Sequence, residues 1–72
     1  MTLDEVKSGT QVKIVDVAES SMKTRLMSMG LIKGTTVRVM SAAPLGDPIS
    51  IQVRSYKLAL RKADAKNITV SI

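Results

Sequence analysis

The sequence predicts a small, mainly β barrel of about five short strands with one short helix between strands one and two. Three observations carry that prediction. Four stretches between Thr36 and Ile72 alternate apolar and polar residues with period two, the pattern of a strand with one buried and one wet face. One stretch, from Met22 to Met29, spaces its apolar residues at three and four and then meets a glycine. The chain has 72 residues, so five short strands in a flat sheet would leave both long edges open, whereas closure removes them.

The elements follow in order. Thr2 and Glu5 have capping-box spacing around the apolar pair Leu3 and Val6, which predicts one short helical turn ended by Gly9. Strand one, Gln11 to Val17, changes parity. Val12 and Ile14 share one parity and Val15 and Val17 the other, so a bulge near Ile14 and Val15 is expected to reconcile them. Ser20 or Ser21 is placed to cap the helix, and Met22, Leu26 and Met29 form its buried stripe. Gly30 supplies the left-handed stop, with Leu31 packing back over the last turn. Lys23, Thr24, Arg25 and Ser28 occupy the other face. Gly34 reads as a turn residue, because the stretch from Gly30 to Gly34 lacks the strand-to-helix context and Gly-Lys-Ser/Thr ending of a phosphate loop.

Val37 and Val39 mark strand two, Ile49, Ile51 and Val53 strand three, Leu58 and Leu60 strand four, and Ile68, Val70 and Ile72 strand five. Ala43-Pro44-Leu45-Gly46-Asp47-Pro48 joins strands two and three. Two prolines fix φ, and Asp47 can accept hydrogen bonds from nearby backbone N–H groups, so a stiff connection is expected. An SH3-like or OB-like barrel spanning residues 1–72 as a single domain, with the helix plugging one end, satisfies these constraints.

Composition narrows the function. There is no Cys and no His. Disulfides, thiolate zinc sites and thiol nucleophiles are thereby excluded, together with the commonest general base, so the expectation is a protein that is not an enzyme and has no cofactor. The N-terminus has no apolar signal-peptide core, and no apolar run is long enough to span a bilayer. A reducing cytosol fits these features. The net charge of +5 is uneven. Residues 1–19 hold two lysines and four acids, net −2, and residues 20–72 hold nine bases and two acids, net +7. One side of the molecule is expected to be basic, which suits an acidic protein surface, anionic headgroups or nucleic acid.

Candidate contact residues come from what turn and core chemistry leave over. Leu45 is the one residue of the proline loop that turn formation does not explain; it either tucks onto the barrel or presents a preorganised knob. Met22, Met27 and Met29 could serve soft-metal binding, but methionine more commonly fills irregular core gaps. Met27 lies off the buried stripe and so reads as an exposed apolar contact. Arg54, Lys57, Arg61, Lys62 and Lys66 cluster around strand four. With Tyr56 the only aromatic, base-stacking platforms are missing, which argues against single-strand nucleic-acid binding and against polyproline recognition.

Three blocks then form a recognisable set. Arg25-Leu26-Met27-Ser28-Met29-Gly30-Leu31-Ile32-Lys33-Gly34, Ala43-Pro44-Leu45-Gly46-Asp47-Pro48-Ile49 and Leu58-Ala59-Leu60-Arg61-Lys62-Ala63-Asp64-Ala65 occur in that order. With the opening Leu3-Asp4-Glu5-Val6-Lys7-Ser8-Gly9, the chain resembles the ferrous iron transport protein A (FeoA) family over essentially its whole length. The resemblance implies an SH3-like barrel in the bacterial cytosol. It implies an accessory of the membrane ferrous iron transporter FeoB, which carries a GTP-binding domain and would recruit the module to the inner face of the membrane.

The same barrel type occurs in metal-dependent repressors, so a repressor's regulatory domain and a basic nucleic-acid-binding barrel are the alternative readings. Ser55 stands where the family often has glycine, which leaves the shape of the turn before Tyr56 open. Nothing here offers a ferrous site, since His is absent and Asp4, Glu5, Asp16, Glu19, Asp47 and Asp64 are scattered. Arg25, Met27, Leu45 and Tyr56 are the expected partner contacts, Arg and Tyr because such side chains anchor interfaces. Arg25 or another arginine supplied in trans to speed GTP hydrolysis by the partner is a variant of the same reading, and nothing in the spacing singles out which.

Overall fold

The computed structural model describes residues 1–42 and 47–72. Its strands are β1 (Gln11–Val17), β2 (Thr36–Ala42), β3 (Ile49–Val53), β4 (Tyr56–Leu60) and β5 (Ile68–Ser71), with helices α1 (Lys23–Ser28) and α2 (Lys62–Ala65) and a 3₁₀ turn at Leu3–Glu5. All five strands join one antiparallel sheet in the order β4-β3-β2-β1-β5.

The alternating apolar residues of the strands point to one interior. Val12, Ile14, Val17, Val37, Val39, Ile49, Ile51, Val53, Leu60, Ile68 and Val70 are buried in a common cluster with Leu3, Leu26, Leu31 and Ala65. Strands from opposite ends of the ladder share that cluster, so the sheet curls over it. Two irregularities permit the curl. The β1–β5 register shifts between Ile14 and Asp16, at the parity change in the sequence, and the β2–β3 register shifts between Val39 and Ser41. Among the described residues β4 and β5 are not hydrogen-bonded to each other, and the chain passes between them through α2. The outer edge of β5 is covered by the N-terminus, where Thr2 bridges Thr69 and the Val70 N–H donates to the Met1 carbonyl at 2.9 Å.

Several local expectations are met. The Glu5 carboxylate accepts the Thr2 backbone N–H at 2.8 Å, and that bond holds its carboxyl below the usual glutamate range. Gly30 and Gly34 have positive φ. The Gly30 N–H donates to the Met27 carbonyl at 3.0 Å and the Leu31 N–H to the Leu26 carbonyl at 3.1 Å, the paired bonds of a Schellman stop, and Leu31 is fully buried as that motif requires.

Four details differ. The N-terminal helical turn ends at Val6 rather than Gly9, whose positive φ instead serves the turn into β1. Met22, not a serine, occupies the N-cap of α1. Ser20 caps the preceding turn, its Oγ accepting the Met22 N–H at 3.2 Å. A second helix, α2, follows β4; its four residues contain a single turn and no apolar period, so the alternation carries no sign of it. Ile72 lies beyond β5 and is 90% exposed, because the last pairing of β1 with β5 is Lys13 with Ser71.

Candidate functional site

α1 organises the surface on which most of the expected contacts fall. Leu26 anchors it in the core, and Met22 and Met29 pack half-buried against the same cluster. The two flanks of the helix therefore face different neighbours. On one flank, Met22, Arg25 and Met29 line a cleft of about 220 Å³ whose far wall is Ala59, Leu60, Arg61 and Asp64 at the end of β4 and in α2. On the other, Met27, 44% exposed, lines a shallow recess with Asp16, Val17, Lys23, Ile32 and Lys33. Arg25 and Met27 thus belong to separate recesses. A two-residue step turns a helix by about 200°, so the sequence could have shown this separation.

Tyr56 is held from within. Its hydroxyl donates to the Met29 carbonyl at the end of α1, and the hydroxyl end of its side chain lies against Gly30. A Cβ at position 30 would sit 2.8 Å from the Tyr56 oxygen, so Gly30 is required there twice, by its φ of 92° and by that close approach. Tyr56 therefore locks β4 to α1, and its exposed remainder, 41%, is what a partner can meet. Leu45 lies outside the described residues.

Charges around this surface are partly neutralised. Lys23 pairs with Glu19 at 2.6 Å, and that hydrogen bond raises the lysine pKa. Asp47 reaches across from the start of the β3 segment. Its Oδ1 accepts the Lys62 backbone N–H at 3.0 Å, capping the first turn of α2, and lies 3.8 Å from Arg61 Nε. The sequence anticipated a backbone-capping role for Asp47, but within its own loop. The donor comes instead from fifteen residues away.

The turn left open by Ser55 is a two-residue hairpin, Arg54–Ser55, since Val53 pairs with Tyr56. The positive φ falls on Arg54, at 56°, and not on Ser55, which is the pattern of a type II′ turn with an arginine where glycine is usual. Reading residue types alone hid this feature. A strained arginine looks like any other base in a string.

Among the described residues no group of three or more acids could hold a metal ion, and no helix is long and apolar enough to cross a membrane. Comparison with known proteins sets these features in a family. The Fe(2+) transport protein A/Fe(2+) transporter FeoB fusion protein of Porphyromonas gingivalis is 36% identical over 73 residues, a match that covers all of this chain and 9% of the fusion protein. The FeoA-like protein of Clostridium acetobutylicum superposes with a TM-score of 0.94 at 38% identity, over 100% of this chain and 85% of the other. Zinc-complexed FeoA of Stenotrophomonas maltophilia, described as a prokaryotic SH3 domain protein, superposes at 0.88 with 32% identity, over 99% of this chain and 89% of that one. The mainly β, SH3-like expectation thus holds. The FeoA domain model matches residues 1–72, and the chain belongs to the FeoA family.

Proposed function

We infer that this chain is a non-catalytic accessory of bacterial ferrous iron uptake that binds the membrane transporter FeoB from the cytoplasmic side. The observation that carries the reading is the Porphyromonas gingivalis relative, in which a region matching this whole chain is part of the same polypeptide as FeoB. Fusion of two proteins keeps them at a high effective concentration, which benefits domains that act on each other. The side-chain inventory supports the negative half. With no His and no Cys, and acids that do not cluster, the chain is poorly supplied for acid–base, nucleophilic or metal chemistry of its own. Iron is then the transporter's cargo.

The partner contacts are assigned to Arg25 on one flank of α1 and Met27 on the other, with Tyr56 and Leu45 as further contacts. Co-purification of the tagged chain with FeoB tests this. The wild type is expected to retain the transporter, and Arg25→Glu or Leu45→Asp, shown to be folded by circular dichroism, to lose it. Retention by both variants would remove the residue assignments, and failure of the wild type to associate would remove the function. GTP turnover by the transporter with and without the chain then separates a modulating role from an assembling one.

A further inference from the structure

Part of the outer face of the sheet, from β1 to β4, presents a grid of hydrogen-bond donors without an acid among them, the exposed Asp16 lying at the other end of β1. One row crosses four strands, Gln11 on β1 opposite Arg38 on β2, Arg38 opposite Gln52 on β3, and Gln52 opposite Lys57 on β4. The neighbouring row holds Lys13 opposite Thr36, with Arg54 next in register beyond the end of β3. Lys13, Arg38, Arg54 and Lys57 are all exposed, and among the described residues none of them forms a salt bridge. Arg38, Arg54, Gln11, Gln52 and Thr36 converge on an open cleft of about 430 Å³.

Arg54 enters that cleft from a left-handed backbone, a conformation that is strained for a non-glycine residue. Turn formation alone would favour glycine there. We propose that this cleft is a docking site for an acidic, extended segment of a protein partner, with Arg38 and Arg54 each taking a carboxylate of a Glu-x-Glu or Asp-x-Asp sequence.

The spacing fits. Arg38 is directly opposite Gln52, so Arg54 is its diagonal neighbour, about 7 to 8 Å away across the ladder. Alternate side chains of an extended peptide lie about 6.6 to 6.8 Å apart. The two guanidiniums can therefore engage residues i and i+2 of one strand-like segment, each in the forked geometry that suits carboxylates. Gln11 and Thr36 remain to bond the peptide backbone, together with the Gln52 amide, whose Nε2 already donates to the Arg54 carbonyl at 3.5 Å. A membrane surface fits less well, since the arginines line a recess rather than a protruding face, and bases have no stacking partner because Tyr56 is engaged with α1.

This proposal rests on the partner-binding reading above for its biological setting, but its test does not need the transporter. Fluorescence anisotropy of a labelled Gly-Ser-Glu-Val-Glu-Val-Ser-Gly peptide is measured against the full chain, beside its Gln-Val-Gln counterpart. Inorganic phosphate, phosphatidylglycerol vesicles and a short DNA duplex are added as competitors. The acidic peptide is expected to bind and the neutral one not, with Arg38→Gln and Arg54→Gly each weakening binding about tenfold or more. Arg54→Gly also relieves the turn, so its Tm should rise while its binding falls, a pairing that damage to the fold cannot produce.

Equal binding of the two peptides, indifference to both arginine substitutions, or binding of phosphate, vesicles or duplex in place of the peptide would overturn the site. If the peptide fails while the transporter still co-purifies, the cleft is wrong and the partner reading stands. Arginine-dependent peptide binding by a chain that does not co-purify with FeoB supports the cleft and removes the transporter as its owner.

Discussion

α1 and the outer face of the sheet are built on opposite terms. Around α1 the conspicuous side chains other than Arg25 and Met27 are answered from inside the molecule. Leu26 is buried, Tyr56 donates to Met29, Lys23 is paired with Glu19, and Asp47 is shared between Lys62 and Arg61. On the outer face Lys13, Arg38, Arg54 and Lys57 have no such answer among the described residues. Substitutions of those answered side chains should therefore register in stability, and substitutions on the face, like that of Arg25, in association.

The largest effect expected from that contrast is at Leu26. Leu26→Ala leaves a cavity where α1 enters the core, and chemical denaturation should show a loss of about 2 to 5 kcal/mol. Gly30→Ala comes next. It forces a left-handed alanine at about 1 to 2 kcal/mol and displaces the Tyr56 hydroxyl, so thermal melting should fall by more than strain alone predicts. Tyr56→Phe removes only the bond to Met29 and should cost about 1 kcal/mol. If Gly30→Ala and Tyr56→Phe were additive in the double variant, the close approach between the two positions would be unimportant; a shared contact requires less than the sum.

On the other side of the comparison, Lys13→Gln with Lys57→Gln should leave stability within about 0.5 kcal/mol while flattening the salt dependence of any anion binding. A large stability change there would break the contrast. The smallest effect is at Glu5. Its folded pKa is depressed by the Thr2 N–H, so its contribution is present above the ordinary glutamate pKa and is lost as pH falls through the lowered value. Melting curves of wild type and Glu5→Gln should accordingly differ at neutral pH and converge in acid.

The strands were legible because burial on one face imposes alternation, and the bulge in β1 was legible because the alternation changes phase at Val15. The Schellman stop could be read because Gly30 and Leu31 satisfy it with local chemistry. What escaped depended on contacts between distant positions. Nothing local to Asp47 announces that it caps α2, and nothing local to Tyr56 announces Met29. In the sequence Arg54 is one base in a run. Only the register of β2 with β3 separates it from Lys62 and Lys66, which lie in or just after α2, and sets it beside Arg38.

The bridge between Thr2 and Thr69 and the bond from Val70 to Met1 bring residues from the two ends of the chain side by side, and Met1 and Ile72 border one groove. Topologically the domain is then nearly a ring. A short linker from Ile72 to Met1, with new ends cut at the exposed Arg54–Ser55 hairpin, would give a permuted protein that keeps every strand pairing but relaxes that turn. The same adjacency lets the domain be spliced into a longer polypeptide as a side loop, with entry and exit nearly coincident and little disturbance to the host on either side.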